Sequence, residues 1–96
     1  MATELRPETI EKLKDELAEI VALQMASFNF ATVYTVTNEI RNRRKTGKFP
    51  AIELQKSRIR YYLNKLVIEQ VLWRETLPAG GLTSESVYYR PYNMRP

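Results

Sequence analysis

The sequence predicts an α+β domain made of three helices, a short strand and a C-terminal β-hairpin. Three observations lead to this class. Apolar residues recur at helical spacing in three separate segments that end near residue 69. From Val71 onward the apolar period changes to two, which is typical of strands. The chain has 96 residues, the length of one domain, so we expect residues 1–96 to fold as a single unit.

The first helix is predicted over residues 7–26. Pro7 suits the first helical turn, and Glu8 suits the positive end of the helix dipole. One stripe of this helix is apolar and is expected to be buried; it contains Ile10, Leu13, Leu17, Ile20 and Val21. Leu23 lies outside the stripe, which indicates either a dimer contact or a second layer of the core.

The face of the first helix opposite the stripe is acidic. Lys12 stands four residues from both Glu8 and Glu16, so we attribute this face to i,i+4 ion pairs on an exposed surface. The carboxylates are therefore not expected to form a catalytic site.

A short strand and a second helix are predicted next. Phe28 and Phe30 are separated by one residue, and this period of two predicts the strand. Thr32 can cap a helix over residues 33–45, and Gly47 suits a left-handed stop after it. The inner face of this helix consists of Val33, Val36 and Ile40.

The third helix and the hairpin complete the domain. The helix is predicted over residues 53–69, and its inner face consists of Ile59, Tyr62, Leu63, Leu66 and Val67. The hairpin is predicted over residues 71–90, with turn residues from Pro78 to Gly81, and residues 91–96 form a short tail.

This order of elements resembles the winged helix-turn-helix superfamily of DNA-binding domains over residues 8–90. The segments SRIRYYLNKL at 57–66 and QVLWR at 70–74 are similar to the superfamily's recognition helix and the start of its wing. The segment at 30–40 is similar to its short strand and supporting helix. Gln70 stands where these domains often have glycine, and the predicted tip of the wing carries no positive charge.

The positive charge of the chain is concentrated in its centre. Residues 1–30 carry a net charge of −3, residues 31–65 carry +7, and residues 66–96 are neutral. Such a basic segment is typical of a surface that binds a polyanion, and the alternative is a solvated surface that is basic by chance.

The resemblance implies that the third helix enters the major groove of double-stranded DNA. Helical spacing places a polar and aromatic centre on the outer face of this helix, with cations on both edges. The candidate contacts to bases or to the groove are Ser57, Arg58, Arg60, Tyr61 and Asn64. The candidate contacts to phosphates are Arg41, Arg43, Arg44, Lys45, Lys48, Lys56 and Lys65.

The predicted function is therefore a DNA-binding transcriptional regulator that acts as a homodimer. One alternative is a protein-interaction module on the same scaffold. Another is a binder of RNA or single strands, in which aromatic residues of the hairpin stack on unpaired bases. These residues are Trp73, Tyr88, Tyr89 and Tyr92, and such aromatics are more often half-buried cover for a small core.

The composition excludes several other classes. The chain has no cysteine and no histidine, which excludes disulfides, thiolate chemistry, zinc sites of the Cys/His kind and Ser-His-Asp triads. We expect no enzyme activity, cofactor, metal or small-molecule ligand. No apolar run approaches the roughly 20 residues that span a bilayer, and residues 1–11 lack an apolar signal core. The expected location is cytoplasmic, at the nucleoid if DNA is bound.

Overall fold

The computed structural model of the chain describes residues 7–45, 54–78 and 85–96. These residues form three helices and a two-stranded antiparallel β-hairpin, which is the predicted α+β class. The helices are α1 (Pro7–Phe28), α2 (Val33–Arg43) and α3 (Lys56–Ile68); the strands are β1 (Leu72–Pro78) and β2 (Glu85–Pro91), and a 3-10 turn (Tyr92–Met94) follows.

One hydrophobic core lies between the three helices and one face of the hairpin. The fully buried core residues of the helices include Leu13, Leu17, Ile20, Val21, Val36, Ile40, Ile59 and Leu63, all on the predicted stripes. Leu72 and Tyr89 contribute the hairpin's share of this core. Leu23 is 50% exposed, so it does not belong to a second core layer.

The predicted short strand is wrong. Helix α1 runs two residues beyond its predicted end and includes Phe28. Asn29 follows with φ at 66°, in the left-handed region that asparagine tolerates better than most residues, and its N–H donates to the Met25 carbonyl at 3.1 Å. The chain is then joined to β2 by the Tyr89 N–H, which donates to the Ala31 carbonyl at 2.8 Å. The strand pattern was therefore produced by a helix end and a short extended connection.

Helix α2 begins at the predicted cap. The Thr32 Oγ1 accepts from the Thr35 N–H at 3.1 Å, and the Thr35 Oγ1 accepts from the Thr32 N–H at 2.9 Å. Gln24 of α1 binds this cap, since its Oε1 accepts from the Thr35 hydroxyl at 2.8 Å and its Nε2 donates to the Thr35 carbonyl at 3.1 Å. The start of α2 is thereby held in place by α1.

The other ends differ slightly from prediction. Helix α2 ends at Arg43 rather than residue 45, and α3 begins at Lys56 rather than residue 53. Gly47, together with the turn after Pro78, lies outside the described residues.

No single helix in the described ranges has both the length and the apolar character to cross a membrane. Helices α1 and α2 meet those criteria only when taken together, and they are bent by 112° at the break between them.

Candidate nucleic-acid interface

Helix α3 carries four cations on the two edges of its outer side. Ile59, Leu63 and Leu66 face the core, and this orientation turns the opposite side of the helix outward. The helix contains no acidic residue, and its cations are Lys56, Arg58, Arg60 and Lys65. None of the four forms an ion pair with any carboxylate whose side chain the structure describes. Their charge is therefore not neutralised within the described fold.

One edge of α3 borders a shallow depression of about 250 Å³. Its lining includes Ser57, Arg58 and Tyr61. Tyr61 is half exposed and packs edge-to-face on Tyr62, with 5.3 Å between ring centroids. The Lys65 Nζ lies 5.9 Å from the centroid of the Tyr61 ring, within the range of a cation–π contact. This edge therefore combines an aromatic ring, a hydroxyl and two cations.

The other edge of α3 borders a larger groove, which we call the hairpin groove. It has a volume of about 390 Å³ and lies between α3, the first turn of α2 and the hairpin. Lys56 and Arg60 line it from α3, and Arg74 lines it from β1. No acidic residue is among the described residues of its wall. The helix thus stands as a ridge with a cationic depression on either side.

Asn64 was predicted to face DNA, but its side chain is engaged within the fold. Its Oδ1 accepts from the Tyr89 hydroxyl at 2.8 Å and from Arg74 Nη1 at 3.1 Å. Burial raises the pKa of Tyr89, although the positive charges of Arg74 and Arg60 oppose the shift. The hydroxyl is therefore a proton donor at neutral pH, and Asn64 helps to form the wall of the hairpin groove.

Two arginines at the end of α2, Arg43 and Arg44, face α1 rather than open solvent. Arg43 Nη1 lies 3.0 Å from Glu16 Oε2 and 3.2 Å from Glu19 Oε1, and Arg43 Nε donates to Glu39 at 3.0 Å. Arg44 also pairs with Glu16. Burial raises the pKa of Glu16, but hydrogen bonds from Arg44 and Arg43 outweigh it and hold the pKa below its usual value. Carboxylates of the fold therefore neutralise both arginines.

The ion pairs expected between Lys12 and Glu8 or Glu16 do not form, and Glu16 binds the arginines of α2 instead. Lys14 makes the corresponding contact to α3. Its Nζ lies 2.6 Å from Glu69 Oε2 and 3.5 Å from Glu11 Oε2. Helix α1 thus contacts α2 through Glu16 and the C-cap of α3 through Lys14.

Two of the remaining predicted phosphate contacts, Arg41 and Lys45, lie at the end of α2 or just after it. Arg41 Nε donates to the Leu54 carbonyl at 2.9 Å and so connects α2 to the segment before α3. Lys45 is exposed. Lys48 lies outside the described residues.

Arg74 is the functional candidate that sequence reasoning missed. The alternation of β1 places it on the same face as the buried Leu72, and it lies directly across from Tyr89. That alternation shows which face of β1 carries Arg74, but only the packing of the hairpin against α3 places this side chain in the groove. Tyr89 is buried, while Trp73 and Tyr88 are half-buried, which favours a covering role for the hairpin aromatics over base stacking.

No family model matches the chain, and no curated protein or solved structure is detectably similar to it. Among the described residues, no group of three or more acidic side chains is arranged to hold a metal ion.

Proposed function

We propose that the chain is a winged helix-turn-helix domain that binds double-stranded DNA by placing α3 in the major groove. The observation that carries this proposal is the set of four cations on the two edges of α3, which have no carboxylate partner among the described side chains. Arg43 and Arg44, by contrast, are neutralised by acids of α1. Charge that the fold does not use remains available for phosphates.

The shape of the surface supports the same function. The major groove admits one α-helix, and α3 stands as a ridge between two depressions. Ser57 and Tyr61 line one depression and can reach base edges, while Arg58 and Arg60 lie on opposite edges of the helix. Either arginine can donate two hydrogen bonds to a guanine or clamp a phosphate.

The cations around this ridge complete the proposed interface. Lys56 and Lys65 suit phosphate contacts, because an ammonium is a point charge on a flexible chain. Arg41 and Lys45 extend the positive surface from the end of α2. Arg43 and Arg44 are left out of the interface, since a phosphate would have to displace their carboxylates. The hairpin takes the position of the wing.

The proposal includes the regulator and the homodimer expected from the sequence. A two-fold dimer would present two copies of α3 to the two halves of a palindromic site. Sedimentation with and without a selected duplex measures this state. A monomer that binds one half-site would contradict the dimer while leaving DNA binding intact.

Protein interaction is a second candidate function, favoured by one apolar surface. Phe28 and Phe30 are exposed, with ring centroids 6.5 Å apart, and Phe30 packs edge-to-face on Tyr88 at 6.5 Å. Exposed aromatic clusters are typical of protein contacts. Binding to a protein through this surface would depend little on salt, whereas binding to DNA through α3 depends on it strongly.

The experiment is a fluorescence anisotropy titration with a random-sequence duplex pool and with single strands, at two salt concentrations. The double variant Arg58→Ala/Arg60→Ala is expected to lose about 1–3 kcal/mol per lost base contact. The control is Lys12→Ala/Arg95→Ala, which removes the same charge from exposed positions outside α3. Duplex binding that is independent of salt, or unchanged in the α3 variant, would overturn the proposal. Stronger binding of single strands would support the RNA or single-strand alternative instead.

A further inference from the structure

The hairpin groove brings together positive charge from two separate elements. Lys56 and Arg60 stand one turn apart on α3, and Arg74 reaches the same groove from β1. Arg74 and Arg60 both lie close enough to Tyr89 for their charges to oppose the rise of its pKa. Three like charges in one concave site repel one another, and none of the described wall residues is acidic. An anionic ligand would relieve this repulsion.

Arg74 forms one hydrogen bond within the described fold and keeps other N–H donors unused. Its Nη1 donates to Asn64 Oδ1 at 3.1 Å, and the same oxygen accepts from the Tyr89 hydroxyl. This bond uses one of the five N–H donors of a guanidinium. This bond directs the Arg74 guanidinium toward Asn64 of α3, while most of its hydrogen-bonding capacity remains for a ligand in the groove.

The first turn of α2 adds weaker positive potential to the same wall. Val33 and Tyr34 line the groove and follow the Thr32 cap. The N–H groups of a first helical turn have no acceptor within the helix, and they lie at the positive end of its dipole. These groups supplement the three side-chain cations.

We propose that the hairpin groove binds a phosphate group through Lys56, Arg60 and Arg74. Guanidinium groups match the oxygens of a phosphate, and cations on opposite walls can contact it from two sides. This inference rests on the proposed function, and the phosphate is therefore one of the DNA backbone beside the major groove. The hairpin then contacts DNA through Arg74 within β1, so it needs no positive charge at its tip to bind DNA.

The first arm of the test uses DNA. Arg74→Ala is expected to weaken duplex binding about three- to tenfold for all sequences and to reduce the slope of log affinity against log salt by about 1. Lys56→Ala should have the same two effects. The Lys56 side chain makes no hydrogen bond within the described residues, so the substitution breaks none. Arg74→Lys should keep most of the slope, and Arg95→Ala is the charge-matched control outside the groove.

The second arm uses inorganic phosphate and pyrophosphate without DNA, followed by NMR. The amide signals of Val33 and Tyr34 and the side-chain Nε signal of Arg74 are expected to shift, and Arg60→Ala should abolish the shifts. Shifts of this kind in a protein that binds no duplex would support the groove and overturn the proposed function. An unchanged salt slope in both single variants, together with no phosphate-induced shift, would overturn the groove even if the protein binds DNA.

Discussion

The Tyr89 hydroxyl donates to Asn64 Oδ1 at 2.8 Å and thereby ties β2 to the middle of α3. Tyr89 is almost completely buried, and it lies across the hairpin from Arg74, which donates to the same oxygen. Asn64 therefore serves as a joint between the helix and the hairpin. Because of this joint, the proposed DNA surface is formed by two elements with a fixed relation.

The first prediction concerns this joint. Tyr89→Phe removes the hydroxyl but keeps the ring, so the free energy of unfolding should fall by about 1 kcal/mol, the usual contribution of one hydrogen bond. Tyr88→Phe is the matched control, because Tyr88 is only half-buried and its hydroxyl makes no hydrogen bond among the described residues. Urea denaturation measures both variants. If both variants lowered the free energy of unfolding equally, the hydrogen bond to Asn64 would be shown to contribute nothing to stability.

The contact between Tyr89 and Asn64 also makes the stability of the fold depend on pH in the alkaline range. The pKa of Tyr89 is raised in the folded protein, first by burial, so folding favours the protonated phenol. This contribution to stability is complete below the usual pKa of a tyrosine, about 10, and is lost as the pH rises toward the higher folded value. Tyr89→Phe should show a smaller loss of stability above pH 10 than the wild type.

The second prediction concerns Glu16, which pairs with Arg43 and Arg44. Glu16→Gln should lower the free energy of unfolding at pH 7 by about 1–2 kcal/mol, since partly buried hydrogen bonds to charged groups are lost. Asp15→Asn, at an exposed position on the same helix, is the control. A cost no larger than the control's would mean that α2 is held by its apolar face alone.

Glu16 also predicts an acid limb in the stability profile. Its pKa is lowered in the folded protein by the two arginines, against the effect of burial. Its contribution is therefore present above the usual carboxyl pKa of 4.5 and is lost as the pH falls through the lower folded value. Glu16→Gln should flatten this limb, and thermal melts from pH 7 down to pH 3 would measure it.

The third prediction is an asymmetry between Lys14 and Glu69. Lys14 is only 7% exposed, and Glu69 raises its pKa by a hydrogen bond and by charge, against the effect of burial. Glu69→Gln leaves the buried ammonium with only the longer pair to Glu11, and should cost about 1–3 kcal/mol. Lys14→Met removes the buried charge at similar volume and should cost less than about 1 kcal/mol. Urea titrations would contradict this account if Lys14→Met proved the more damaging change.

The sequence could predict what depends on local patterns. The apolar stripes located the core, and Thr32 marked the start of α2, because period and capping act over a few neighbouring residues. The partners of Arg43 and Arg44 could not be found in this way. Glu16 lies 27 and 28 residues away from them, and only the packing of α2 on α1 brings these groups together.

The candidate site was predictable to a similar extent. Helical spacing correctly predicts that Tyr61 and Arg60 lie on the outer face of α3. It also places Asn64 on this face, but the hairpin packs there and Tyr89 binds the Asn64 side chain. A helical wheel describes one helix and contains no second element that could cover part of its outer face. Arg74 was missed for the same reason, since its place in the groove depends on how the hairpin lies against α3.

The fourth prediction concerns Gln70, at the junction of α3 and the hairpin. Its φ is 62°, its N–H donates to the Val67 carbonyl at 3.0 Å, and the Val71 N–H donates to the Leu66 carbonyl at 2.9 Å. These two bonds form a Schellman motif, in which the left-handed position is usually glycine because a Cβ is disfavoured there. Gln70→Gly should therefore raise the free energy of unfolding by about 0.5–1 kcal/mol, after the larger entropy of the unfolded glycine is subtracted.

Two further variants separate this effect from others. Gln70→Ala keeps the Cβ and should bring no gain, which excludes removal of the glutamine side chain as the cause. Asn38→Gly changes an exposed residue inside α2, so it relieves no left-handed strain and should be destabilising. The strain at Gln70 would be refuted if Gln70→Gly were no more stable than Gln70→Ala in urea. If only Gln70→Gly raised the free energy of unfolding, the left-handed turn at Gln70 would be shown to reduce stability. This turn lies where α3 passes into the hairpin, next to the hairpin groove.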